Sequence, residues 1–515
     1  MRMDHVRCGL AVNPALPLEL VDRLITVADE DIAGSLAERV DLRHEQAVAL
    51  AARVGEAAER LCRNGVLTAA DIDPATAPEA ALALLDEGTG PEEWARHFAA
   101  DPDPERRMKL AACPGLPSGV RKVLAADPDV RVVAELALWT TPDTAARLAR
   151  HRHAEVRRAV AANESTPARV LTALVTGEGL PPADRCSVCD GEVTPSAHGE
   201  RCDCCPRPGA FCTGSHESTV RETIEAALGN PATPAATVVR FATGASVVLR
   251  YGLAARSGLP RETAARLAQD ALPGVRAELA ANPAIGEPLM RALAADPFTE
   301  VRRGVAHNPL VPLDVLCGLA GTVRIGPTLL PRIAAAAPVE VDALATSPNP
   351  AMRMFLAERR DLPAAIRDAL ADDPDAKVVK SVAPHPGLSE KQLRGMVVRH
   401  GTQVVARVAA NPDASPPLLE ELAAHDPPVP KALREIARHR HASGAALLAC
   451  LTDARARATA AGHPSLPPPV VAALLSDDDW RVVEAAAANP SLPPTMMERL
   501  VTDPDVGRWA GGVVT

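Results

Sequence analysis

Apolar residues recur along this chain at helical spacing, in short bursts separated by Asn-Pro, His-Pro and Asp-Pro steps. Three stretches align directly: VRRAVAANESTPARVLTALV (Val156 to Val175), VRRGVAHNPLVPLDVLCGLA (Val301 to Ala320) and VVEAAAANPSLPPTMMERLV (Val482 to Val501). With the Asn as anchor, one column reads Asn13, Asn163, Asn230, Asn282, Asn308, Asn411 and Asn489. Degenerate copies put Cys113, Arg256, Arg359, His385 or His463 in that column. From residue 230 onward the anchors fall 26 residues apart, with one step of 25 and weak copies near 334 and 437. Four residues after the anchor stands proline, as at Pro17, Pro167, Pro312 and Pro493, and eleven after it an apolar residue, as at Leu24, Leu174, Leu319 and Leu500.

This pattern predicts two short helices per unit. Proline suits the first helical position, where the amide is unpaired in any case. The apolar residues eight and eleven after the anchor share one helix face. The Asn-Pro or His-Pro step ends the preceding helix, because a residue before proline avoids the α region. A returning Asp-Pro (Asp101, Asp127, Asp296, Asp373, Asp503) is expected to open the next unit as N-cap and first-turn proline. Neither helix would persist alone, and stacking the units buries a continuous core. The expected fold is therefore all-α: a right-handed α-solenoid of about fifteen short two-helix repeats, carrying a small Cys-rich metal-binding insert.

Two stretches break the period. Residues 26–100 follow an N-terminal repeat unit (1–25) and read as a helical insertion, with helical apolar spacing from Ser35 to Gly65 and a short helix in GPEEWARHFAA. Solenoid repeats follow over 101–175, then a Cys-rich insert over 176–220, then repeats again over 221–505, with a Gly-rich tail at 506–515 that is expected to fray.

Composition narrows the function. Aromatics make up 2% of residues against 47% apolar, which suits closely stacked small side chains. The net charge of −10 disfavours nucleic acid as a partner. No run reaches the roughly 20 apolar residues of a membrane span, and the N-terminus lacks the apolar core of a signal peptide. A cytoplasmic setting is expected, where thiols stay reduced and clustered cysteines bind metal.

Six of the eleven cysteines fall in the insert. Cys186 and Cys189 form one C-x2-C, and Cys202 and Cys205 a second. Paired knuckles bring four thiolates into the closed tetrahedron of structural Zn²⁺. The spacer is somewhat short for that pattern, and Cys204, Cys212, His198 and His216 remain as further ligands. A 4Fe-4S cluster on four of these thiolates is the alternative. Either would fold an insert of 45 residues too small to support itself.

An arginine stands six residues before the anchor: Arg7, Arg107, Arg157, Arg250, Arg276, Arg302, Arg353 and Arg457. Stacking would align them as a ladder for an acidic partner or a phosphate backbone. The competing reading, which the acidity and the returning Asp-Pro favour, pairs each with a neighbouring Asp such as Asp127 or Asp296. The two HRH triplets (His151–His153, His439–His441) read as solvated loop or helix-end positions, and the isolated cysteines as small core residues. The four tryptophans are too scattered for a stacking platform, and no nucleotide-binding, nucleophile-elbow or zincin motif occurs.

The V-R-x-x-V-A-x-N-P units resemble the leucine-rich-repeat-variant (LRV) family of bacterial solenoids, over about three quarters of the chain. The resemblance implies alternating α- and 3₁₀-helices and, in some members, a cysteine module with an iron–sulfur cluster. Here the period is longer, which favours α-helix throughout and a HEAT-like stack, and the cysteines sit mid-chain. The expected role is a non-catalytic scaffold binding another protein, with a structural zinc knuckle pair. The alternatives are an iron–sulfur redox carrier or sensor, and a nucleic-acid-binding solenoid using the arginines.

Overall fold

The unit around Asn282 shows how the columns become structure. Helix Pro273–Ala281 buries Val275, Leu279 and Ala280 and ends at Asn282, whose backbone (φ −72°, ψ 122°) leaves the helix. After a tight turn, helix Glu287–Ala294 buries Met290 and Leu293, the residues eight and eleven after the anchor. Helix Thr299–His307 then opens the next unit and packs against Pro273–Ala281. The computed structural model describes residues 2–181, 183, 185–186, 217–244 and 246–502. Among them it is all-helical, with both helices of a unit α and a single 3₁₀-helix, Val239–Thr243. This is the α-solenoid the periodicity predicts, with two layers of helices and the core between them.

The anchor's chemistry explains its recurrence. Asn282 Oδ1 accepts from the backbone N–H of Ala284 at 2.8 Å, closing its own turn. Its Nδ2 donates to the carbonyls of Ala254 (2.6 Å) and Arg256 (2.7 Å), at the end of the equivalent helix one unit earlier. Those carbonyls are the unpaired acceptors every helix leaves at its C-terminus. One buried amide therefore caps two units and bolts them together. Asn308, Asn411 and Asn489 repeat the pattern. Asn230 reaches back 67 residues to the carbonyl of Asn163, so the ladder crosses the cysteine insert unbroken.

Two details of the predicted caps shift by a few residues. The proline four after the anchor is the N-cap, not the first helical residue: Pro312 has φ −60°, ψ 141°. Its fixed φ suits the extended cap, and its carbonyl accepts from Leu316 N–H at 2.9 Å. The Asp of Asp-Pro stands two residues ahead of the cap. Asp127 accepts from the N–H of Asp129, and Asp129 is the N-cap of Val130–Trp139.

The chain forms two compact units. One comprises Ala81–Ile325 and Leu330–Ala335; the other joins Met1–Ala80 to Gly326–Leu329 and Ala336–Thr515. Within the latter, helix Arg2–Val12 packs on helix Trp480–Ala487 as any unit packs on its predecessor. Asn13 Nδ2 donates to the carbonyls of Ala487 and Asn489, both at 2.8 Å. His5 stacks on Trp480 with ring centroids 4.4 Å apart. Gly9 lies so close to Glu484 that a Cβ there would clash with its carbonyl oxygen.

The ladder also runs on into the stretch 26–100. Arg39 donates through Nη1 to the carbonyls of Ala11 (2.9 Å) and Asn13 (2.8 Å), and Asn64 donates to the carbonyl of Ala37 at 3.2 Å. Helices Glu30–Ala37 and Gly55–Arg63 thus continue the stack with the same bonds. The tail at 506–515 lies outside the described residues.

Candidate functional site

The arginine column is occupied from within. Each of these arginines but Arg457, which opens its helix, sits on the second turn of an anchor-bearing helix, and for five of the eight an Asp lies twenty residues on. Arg107 meets the Asp127 carboxylate at 2.7 and 3.0 Å and donates to the carbonyl of Asp101 at 2.8 Å. Arg276 and Asp296 pair at 2.8 and 3.2 Å, and Arg353 and Asp373 at 2.6 and 3.0 Å. Arg250 pairs with Asp270, and Arg457 with Asp477, each at 2.6 Å. Except for Arg457, these side chains are largely buried. The hydrogen bond it donates to Asp296 raises the Arg276 pKa above its ordinary value against the opposing effect of burial. Burial works against the Asp296 charge, yet the hydrogen bonds from Arg276 and Phe298 N–H hold its pKa below the usual carboxylate range.

Three of the eight find no Asp twenty residues on, where Val27, Gly177 and Thr322 stand instead. Arg157 donates to the carbonyls of His151 (2.6 Å) and Pro181 (2.7 Å), and Arg302 to those of Asp296 (2.6 Å) and Pro297 (2.9 Å). The Nε of Arg7 is buried without a hydrogen-bond partner among the described residues. The column serves the stack, as the pairing with Asp anticipates.

Of the predicted metal ligands, only Cys186 falls among the described residues. It is fully buried against Ala154, with Ala183 beside it. The chain entering the insert is pinned there by Ala154 N–H to the Arg185 carbonyl (2.9 Å) and Arg185 N–H to the Arg152 carbonyl (3.3 Å). Cys189, Cys202 and Cys205, and the further candidates Cys204, Cys212, His198 and His216, lie outside the described residues. No group of three metal-binding side chains occurs among the described residues. Close to Cys186, Arg107, Asp127, Arg131, His151, His153 and Arg185 line part of an open, charged cavity of 1010 Å³. Burial depresses the His151 pKa, and it accepts from His153 N–H through Nδ1 in place of the Asp found in other units.

The isolated cysteines divide by burial: Cys62, Cys113 and Cys450 are buried, Cys8 and Cys317 half-buried. Burial pushes the Cys62 thiol up to about 11 and that of Cys450 to about 12. The HRH triplets stand at helix ends as expected, with Arg152, Arg440 and His441 exposed, but one histidine of each is not solvated. His153 and His439 are buried. His439 Nε2 bonds the carbonyl of Asn411 at 2.7 Å, filling the anchor column, where the weak copy near 437 hid it. His385 and His463 do the same with Ala357 and His439.

A second charged column escaped the sequence reading. On successive anchor-bearing helices, or for Arg455 just ahead of one, Lys377, Lys431, Arg455 and Arg481 are exposed eight residues before their anchors. Lys380 and Arg407, one turn on, are half-buried. Arg407 Nε donates to the carbonyl of Lys380 at 3.0 Å, laying one side chain across the neighbouring helix. None of the six makes an ion pair among the described residues. The signal lay in the column itself, which reads Lys, Gln, Lys, Arg, Arg from residue 377 to 481.

No family model and no curated protein matches this chain. Among solved structures, the crystal structure of an engineered protein shares 16% identity over 84% of this chain and 97% of its own, with a TM-score of 0.15. A homology model of the full-length AP-3 complex in an intermediate open conformation shares 11%, over 94% of this chain and 83% of its own, with a TM-score of 0.17.

Proposed function

We propose that this protein is a non-catalytic scaffold of the LRV-like, HEAT-like kind, whose stacked helices offer an extended face to another protein. The observation that carries the reading is the fate of the polar columns. The Asn amides and most of the column arginines are consumed by unit-to-unit bonds, so what remains for a partner is the open surface of the helices. The same pairing supports a protein partner over nucleic acid, because the arginines that would meet phosphates already hold carboxylates. No helix among the described residues is long and apolar enough to cross a membrane, which agrees with a cytoplasmic setting.

The cysteine insert is a structural metal module in this reading. Cys186, Cys189, Cys202 and Cys205 would hold Zn²⁺, supplying folding energy to a segment with little core of its own. The deciding experiment is metal content with an absorption spectrum, on protein purified without oxygen. About one zinc per chain and no visible band agree with a structural knuckle pair. A brown protein with about four irons per chain would overturn it and put redox function first. For the scaffold role, the whole protein is cross-linked in its native lysate; recovery of no protein partner would refute it.

A further inference from the structure

Two consecutive joints of the stack are closed by imidazole rings, where Asn282, Asn308 and Asn411 use an amide. His439 and His463 are both buried. His439 Nε2 bonds the carbonyl of Asn411 at 2.7 Å, and His463 Nε2 that of His439 at 3.1 Å. On the other side of each ring, Nδ1 accepts a backbone N–H at 3.1 Å, from His441 and from Ser465. A carbonyl can only accept, so Nε2 carries the proton; a backbone N–H can only donate, so Nδ1 is bare. Both rings are therefore held in the neutral Nε2–H form. A second proton has to enter at Nδ1, where it meets a donor head-on. Taking it up breaks the bond that closes the turn and pushes the ring out of its joint. The amide of Asn has no such proton to gain. His385 is different, because the N–H of Gly387 in its turn goes to Asp413 at 2.6 Å.

Little around the two rings offsets a charge on them. Burial depresses the His439 pKa, and His441, Arg440 and His463 add to the effect, with only the bond to Asn411 opposing. Burial depresses His463 as well, against its bond to His439. The carboxylates on the packed elements are directed elsewhere. Asp413, on the preceding turn, serves Gly387. On helix Pro416–Ala423, Glu420 accepts from the Ser443 hydroxyl at 2.5 Å, and Glu421 faces Arg394 at 2.9 Å. Glu435 lies 3.9 Å from Arg438, and Glu484 of Trp480–Ala487 lies 3.3 Å from His5. Of the bases, Arg407 reaches back to Lys380, Arg434 pairs with Asp453 and Arg457 with Asp477. Lys431 and Arg481 stand at the opposite ends of their helices, and helices Gly444–Cys450 and Pro468–Leu474 carry no charged residue.

We propose that His439 and His463 form an acid-sensitive joint: they hold helices Thr402–Ala409, Pro430–Arg438 and Arg457–Ala461 together while both rings are neutral, and release them when the rings take a proton. The two act in series, because His463 grips the carbonyl of His439 itself. Opening there uncovers Leu433 and Ile436. The device belongs to the stack and does not depend on the identity of a partner. Its direction follows from linkage. A histidine whose folded pKa lies below the unfolded value of about 6.5 favours the fold fully above that pH and loses its contribution as pH falls below it. At pH 5.5 the loss in protection is about tenfold at most for each ring, and about a hundredfold for the two.

The test is amide hydrogen exchange on the full chain at pH 7.5, 6.5 and 5.5, expressed as protection factors against the intrinsic rate at each pH, since exchange follows local opening. Wild type is compared with the His439→Asn, His463→Asn variant, which puts at both joints the amide that Asn308 and Asn411 use. Wild type should lose about threefold to a hundredfold in helices Pro430–Arg438 and Arg457–Ala461 between pH 7.5 and 5.5. Helices Pro273–Ala281 and Thr299–His307, joined through Asn308, should hold theirs. The double variant should keep its protection at the lower pH. If it fails to fold, the two single variants serve, each keeping about half of the response on a logarithmic scale. A wild-type loss under about threefold overturns the proposal, as does an equal fall in the folded Asn variant or an equal fall at the Asn308 joint.

Discussion

Replacing Asn411 tests the bond that holds one unit to the next. Its side chain is fully buried. Nδ2 donates to the carbonyls of Ala383 at 2.6 Å and His385 at 2.7 Å, and Oδ1 accepts from Asp413 N–H at 2.9 Å. Asn411→Ala removes three hydrogen bonds at about 1 kcal/mol each and leaves the polar groups they served unsatisfied, for a total near 3 kcal/mol. Asn411→His keeps one donor and one acceptor, as His439 and His463 do at their own positions, and should cost about 1 kcal/mol. Asn411→Asp turns a carboxylate toward two carbonyl oxygens and should cost about 4 kcal/mol. Urea unfolding gives the rank, and hydrogen exchange places the loss in helices Ala376–Val382 and Thr402–Ala409, because a repeat array opens locally. A cost for alanine no greater than for histidine would refute the ladder as the source of cohesion.

Three further outcomes follow from the same geometry. Burial depresses the pKa values of His385, His439 and His463. Their neutral form is favoured when folded, so their contribution is complete above the unfolded value of about 6.5 and declines as pH falls below it. The protection factor of helix Pro430–Arg438, taken against the intrinsic exchange rate at each pH, should fall between pH 7.5 and 5.5 (about tenfold at most from one histidine), and a constant protection factor in wild type would contradict this. Gly9→Leu drives a side chain into the Glu484 carbonyl, so protection should fall together in Arg2–Val12 and Trp480–Ala487; loss in the first helix alone would show that the two are not coupled. Asp373→Asn strips the charge that Arg353 grips at 2.6 and 3.0 Å and should cost about 3 kcal/mol by chemical denaturation, against a refuting value under about 0.5 kcal/mol.

The repeat is legible because its demands are local. An Asn that must both close its own turn and cap the preceding helix leaves few substitutes, so it recurs visibly. Arg39 donates to the same pair of carbonyls as Arg256 does, but it was harder to see because its flanking columns read Ala33 and Arg43 in place of the arginine and proline. His439 was hidden by a two-residue offset from the period, which also made its triplet look like a solvated helix end. The arginine pairing could be anticipated from Asp127 and Asp296, since both partners are columns. The contact of Asn13 with Asn489 could not: a column states what each unit offers a neighbour, not which neighbour takes it. For the cysteines, spacing identifies Cys186 as a ligand candidate, and the structure adds that the chain there is seated against Ala154.

The seat of Arg2–Val12 on Trp480–Ala487 sets the order of assembly. Asn13 finds its partners 474 and 476 residues further along the chain. Most contacts in a stacked array join neighbours and form early; this one closes a loop of nearly the whole sequence and carries its entropy cost. During synthesis these helices emerge long before the surface that receives them. They must stay soluble, with the side of Gly9 and Asn13 that meets Glu484 and Asn489 uncovered, until residue 490 has been made. Completion of the Met1–Ala80 segment is thus a late event in folding, and a truncation near the C-terminus would leave its damage at the opposite end of the chain.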